Sequence, residues 1–234
     1  MDFRRNLVNI VRLSIINAPC KSMVERKPNA SLDSVSFDAS KYHFQGDADG
    51  KRTWFTPAGD AISVLYFPTR PGLPAPAHTI FELERFYRER VCSEQVRMTE
   101  FSLLTAADMP AIWMILKVSL KPSGLVYLGS LTLPFADFSF VVKMQCIERG
   151  IAGMRETALL LEAQQDGRVT IGEDGKISGD WNPDAAMHDE KFPDHPVSRL
   201  RFEFARIISS LQLTEATKSE ARFELPTPTT GQMA

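Results

Sequence analysis

Two stretches of strict alternation constrain the fold of this chain most. Ile112, Met114, Leu116, Val118 and Leu120 alternate with Trp113, Ile115, Lys117 and Ser119. Further on, Phe138, Phe140, Val142, Met144 and Cys146 alternate with Ser139, Val141, Lys143 and Gln145. Successive side chains of a strand point to opposite sides, so a period of two predicts strands, each with one dry and one mixed face. Leu125 to Leu133 lies between them, joined through Lys121-Pro122-Ser123-Gly124 and Pro134-Phe135-Ala136-Asp137. Links that short require antiparallel neighbours, because a parallel return needs a crossover of about a dozen residues. Val96 to Ile147 therefore predicts a meander whose dry side is roofed by helices.

The helices follow from caps and periodicity. Thr79 and Glu82 have capping-box spacing ahead of Ile80, Leu83, Phe86, Tyr87 and Val91, which recur at helical intervals, while Glu84, Arg85, Arg88 and Glu89 form a solvated face. A second helix is expected over 150–163 with Ile151, Met154, Ala158 and Leu161 on one apolar face. A third, after Pro193 and Pro196, carries Leu200, Phe204, Ile207 and Leu211 on one stripe. Ile62 to Phe67 reads as a strand ended by proline, and Val169-Thr170-Ile171 as part of a small hairpin. The fold class is thus α+β, an antiparallel sheet flanked by helices.

At 234 residues the chain can bury a sizeable core. We expect an N-terminal arm and linker over 1–50, a single domain over 51–225 with a polar excursion at 164–195, and a flexible tail over 226–234. The formal charge of −2 gives no global pull toward nucleic acid or anionic lipid. Cys20, Cys92 and Cys146 are odd in number and lack metal-ligand spacing, so neither a disulfide framework nor a cysteine zinc site is implied. Met1 to Cys20 is apolar in part, but Asn6, Asn9, Arg12 and Ser14 interrupt it, and Pro19 stands where a lipoprotein signal needs a small residue. The expectation is a cytoplasmic chain without a transmembrane segment.

The order strand, helix, antiparallel meander, helix, late helix resembles the PsbP/DcrB-like α+β class over about Lys51 to Ala163. Leu128-Gly129-Ser130-Leu131-Thr132-Leu133-Pro134-Phe135 and Phe192-Pro193-Asp194-His195-Pro196-Val197-Ser198-Arg199 look like blocks of uncharacterised bacterial proteins. The resemblance implies a non-enzymatic accessory or binding subunit, with chaperones for secreted effectors among the possibilities.

Three places could carry chemistry. His188-Asp189-Glu190 and Asp194-His195 offer nitrogen and oxygen ligands for a divalent metal, although Asp194 or His195 would equally cap the third helix ahead of Pro196. Arg149, Gly150, Gly153 and Arg155 open the second helix, where free N–H groups can dock a phosphate or carboxylate; a simple strand-to-helix turn is the alternative. Trp181 falls in a polar loop with little obvious core, as a partner contact or a pin for that loop. No G-x-S-x-G elbow, P-loop or dinucleotide fingerprint occurs, so no cofactor is expected. The function expected is a protein-binding or accessory module, possible forms being a chaperone or immunity-type protein of a bacterial secretion system, with homo-oligomers also open. The alternative is a metal-dependent hydrolase or metal-binding protein using His188, Asp189, Asp194 and His195.

Overall fold

Two apolar layers, one on each side of a single sheet, organise the molecule. The computed structural model describes residues 29–74, 79–120 and 124–226. Its main sheet has seven strands: β2 (His43–Ala48), β3 (Lys51–Phe55), β4 (Ala61–Phe67), β5 (Val96–Ala106), β6 (Met109–Ser119), β7 (Leu125–Pro134) and β8 (Ser139–Ile147). All pairings are antiparallel, in the order β2-β3-β4-β8-β7-β6-β5. The meander over β5–β8 and the α+β class are as expected. A short β1 (Val35–Ser36) pairs with β11 (Gln212–Leu213), and β9 (Val169–Ile171) with β10 (Ile177–Gly179).

Helix α1 (Ile80–Val91) starts at the reciprocal Thr79–Glu82 capping box. It lays Leu83, Tyr87 and Val91 on Met98, Ile112, Met114, Leu116 and Val118. Helix α3 (Pro196–Ser210) covers the opposite side, packing Leu200, Phe204 and Ile207 against Trp113, Ile115, Leu131 and Val142. Gly129 of β7 makes this approach possible, because a Cβ there would stand 2.6 Å from Phe204 and 2.8 Å from Leu200.

The structure departs from expectation in three places. β6 is buried from Ala111 to Leu116 on both faces, since α1 and α3 cover opposite sides of it. The sheet also begins before Lys51: residues read as linker supply β1 and β2, with Phe37 and Phe44 packed on Trp54. Helix α2 (Met154–Gln165) starts later than expected and is rotated: it buries Arg155, Leu159 and Ala163, while Ile151 ahead of it and Met154 and Leu161 along it face outward. A buried arginine on the inner face explains that rotation. The first-twenty-residue arm, Cys20 and the tail beyond Pro226 lie outside the described residues. Among those described, no helix is long and apolar enough to cross a membrane.

Candidate functional site at the polar end of the sheet

On the α3 side the sheet's apolar surface ends in a row of polar groups. Lys117 of β6 lies opposite Tyr127 of β7, and Tyr127 opposite Cys146 of β8, so the three share that face. Asp184, from the 164–195 excursion, is buried among them. The Tyr127 hydroxyl donates to it at 2.5 Å, Lys117 Nζ at 3.1 Å and Arg97 at 3.0 Å. Burial raises the Asp184 carboxyl, but the Lys117 charge and the Tyr127 bond outweigh it and hold the group below its usual range. Burial, followed by the Asp184 charge, pushes the Tyr127 hydroxyl far up.

Three further groups converge here from separate segments. Glu148 follows β8, Glu156 sits in the first turn of α2, and His195 is the N-cap of α3. Each has one anchored atom: Gly153 N–H donates to Glu148 Oε1 at 2.8 Å, Lys117 Nζ to Glu156 Oε1 at 2.6 Å, and Val197 N–H to His195 Nδ1 at 3.4 Å. The other atoms, Glu148 Oε2, Glu156 Oε2 and His195 Nε2, are buried without a hydrogen-bond partner among the described residues. One ligand atom of each side chain lies within 4.8 Å of the others'. Burial raises the Glu148 carboxyl above its usual range. It also depresses the His195 imidazole, helped by the Arg155 charge, to about 4. For Glu156 burial pulls upward, yet the Lys117 hydrogen bond and charge prevail and lower it.

A second network pins the excursion. Arg155, 1% exposed, donates to the carbonyls of Pro183 and Ala185 at 2.7 and 2.9 Å, to Ser198 Oγ at 2.7 Å and to Asp189 at 3.0 Å. Arg201 of α3 donates from Nη1 to both Asp189 oxygens, at 2.8 and 2.9 Å, and reaches Glu100 and the Asp184 carbonyl with its other nitrogens. The Ser198 hydroxyl is fixed between Arg155 and Asp189.

The sequence candidates therefore separate. Of His188, Asp189, Asp194 and His195, only His195 enters the three-residue ligand set found among the described residues. Asp189 serves Arg155 and Arg201; Asp194 is exposed and its carbonyl accepts from Arg199; His188 closes a short turn, Ala186–His188. At the α2 N-terminus, Gly153 N–H already holds the carboxylate of Glu148, and Arg155 is consumed internally. Arg149 is half-exposed, with Asp60 at 3.5 Å. The Trp181 Nε1–H is buried without a hydrogen-bond partner among the described residues. Sequence reasoning missed Glu148 and Glu156 as site residues; the short Glu-to-Glu interval across the turn into α2 was the available signal.

Beside this region is a groove of about 530 Å³ between the 56–60 turn and α3, with Asp60, Asp189, Ser198, Arg199 and Phe202 in its walls. Its buried Asp60 is closed off by the Arg199 fork at 2.8 and 2.9 Å.

No protein-family model matches the chain, and no curated protein does. A crystal structure from Bacteroides thetaiotaomicron VPI-5482 is similar over 68% of this chain and 50% of its own length, at 10% identity and a TM-score of 0.35. The chain thus spans about half of that neighbour.

Proposed function

We propose that this chain is a non-enzymatic protein-binding or accessory module, in the manner of a chaperone or immunity-type partner of a bacterial secretion system. The observation that carries this reading is the outward face of α2. Met154 is 58% exposed and Leu161 54%, two turns apart along that face, and Ile151, just ahead of the helix, is 73% exposed, which leaves apolar side chains in water. A helix stripe of this kind suits docking into a partner's groove. By contrast, Ser198 and Asp189 are engaged with Arg155 and Arg201 rather than with an imidazole. The PsbP/DcrB-like order of elements and the accessory role typical of that class support the same reading.

The test places a photo-crosslinking residue at Met154, on the stripe, and in a second chain at Arg85, on the solvated face of α1. Both are expressed in the native host. A discrete adduct to one protein from position 154 and none from position 85 is expected. No adduct at 154, or the same adducts at both positions, would overturn the reading. An adduct to a second copy would reassign the stripe to self-association.

A further inference from the structure

Among the described residues, Glu148 Oε2, Glu156 Oε2 and His195 Nε2 are buried without hydrogen-bond partners, on three side chains that each bring a ligand atom within 4.8 Å of the others'. The His195 side chain is 6% exposed, and its Nε2 faces Glu156 Oε2 at 4.0 Å. A buried polar atom left without a partner destabilises the fold, and more so when it is charged. The opposite oxygen of each carboxylate is nonetheless fixed, by Gly153 N–H on Glu148 and by Lys117 on Glu156. Ligands held from behind by an outer layer of hydrogen bonds, with a ligand atom of each within 4.8 Å of the others', are the arrangement of a metal centre. We infer that Glu148, Glu156 and His195 form a site for one divalent cation of the zinc, cobalt or manganese type.

The donor set decides the class of ion. Magnesium and calcium take oxygen ligands, whereas an imidazole with two carboxylates suits a borderline first-row ion. Two carboxylates balance its charge, and three protein ligands leave one position open. Zinc held at about 2.0–2.2 Å brings neighbouring ligand atoms to roughly 3.4 Å, so the 4.0 Å gap closes by a small rotation of the Glu156 carboxylate. Lys117 is the opposing charge, and Asp184 offsets it, 3.1 Å from its Nζ. The Val197 N–H pointing at Nδ1 puts the neutral ring's proton on Nε2. Metal at Nε2 selects the other neutral tautomer, the ring proton passing from Nε2 to Nδ1 through solvent, and gives up the long 3.4 Å cap bond. Binding therefore has a spectroscopic mark on one histidine.

The full chain, untagged and stripped with chelator, is titrated with Zn²⁺ and with Co²⁺ at about neutral pH. One ion per chain is expected, with visible Co²⁺ bands and a rise in melting temperature. Glu148→Gln, and His195→Asn, which keeps a helix-capping side chain, should each weaken binding at least tenfold. His188→Asn should leave it unchanged. Failure of folded wild-type protein to take up either ion at about 100 μM overturns the inference, as does unchanged affinity in the two folded ligand variants. Should those variants not fold, ring-nitrogen NMR of the wild-type chain decides: a His195 Nε2 resonance unmoved by Zn²⁺ overturns the site, and a metal-induced shift there upholds it. An adduct-forming α2 stripe would survive either result, so the two proposals fail independently.

Discussion

Two buried cations show how partners set the sign of a residue's contribution. Arg155 has its guanidinium satisfied by two carbonyls, a hydroxyl and a carboxylate, so removing it leaves buried acceptors unpaired. Arg155→Met should cost about 3–5 kcal/mol in denaturant unfolding and release the 183–189 segment to proteolysis. Lys143 sits half-buried on β8, opposite Ser63 and Ser130, with no hydrogen bond or ion pair among the described residues. Burial, with the Lys51 charge, lowers its ammonium to about 8. Below that value the lysine is charged in folded and unfolded chain alike, and the folded state bears the desolvation cost. Between about 8 and the ordinary 10.5 the unfolded chain holds the proton that the folded chain has lost, so this residue's share of stability rises with pH. Lys143→Met should stabilise the protein by roughly 1–2 kcal/mol near neutral pH and flatten its stability profile between about pH 8 and 10.5. Equal stability of wild type and variant at neutral pH would contradict this account. Residue-level legibility was uneven for a related reason: Pro196 marked a cap at Asp194 or His195, and His195 supplies it, but Arg155 read as an anion contact at the start of the second helix because its internal partners lie 28 to 43 residues away.

Elements were legible where their signals are local and obscure where packing decides. The capping box and apolar period of α1 are both written within thirteen residues, Thr79 to Val91, and the helix occupies the expected span. The tight turn between β5 and β6 was not readable, because Ala107 and Asp108 take φ of 50° and 60° where glycine or asparagine is the usual signal. For α2 the apolar stripe pointed the wrong way: a long-range demand, the four acceptors around Arg155, outweighs local amphipathicity. The α3–sheet approach depends on one missing side chain. Gly129→Ala would drive a methyl into Phe204 and Leu200, forcing α3 outward at a cost of about 1–3 kcal/mol. Pairing it with Phe204→Leu, which clears the nearest atoms, should recover part of that loss beyond the additive expectation in a double-mutant cycle. Strict additivity of the two changes would argue against a direct steric origin.

At the scale of the whole molecule, strand order is what local reading could not supply. Short links identify β5 to β8 as neighbours, but the β4–β8 ladder joins residues more than seventy positions apart, and only the requirement to cover both faces selects it. That ladder makes β8 and β7 interior strands and leaves β2 and β5 at the two edges. Among the seven strands, register irregularities occur in the two edge pairings, around Gln45 in β2 and Thr99 in β5, while the inner ladders run without a break. A bulge twists an edge away from regular pairing, and β2 is also nearly all exposed, so both ends of the sheet resist adding a strand from another copy. The same geometry sets a gradient of stability. Amides of β7 and β8 are paired on both sides beneath α3 and should exchange with deuterium only on global unfolding. Those of β2 and of the exposed β9–β10 hairpin should exchange orders of magnitude sooner, through local opening. Protection in β2 equal to that in β7 would mean the sheet opens as one unit, and the edge bulges would then have no local destabilising role.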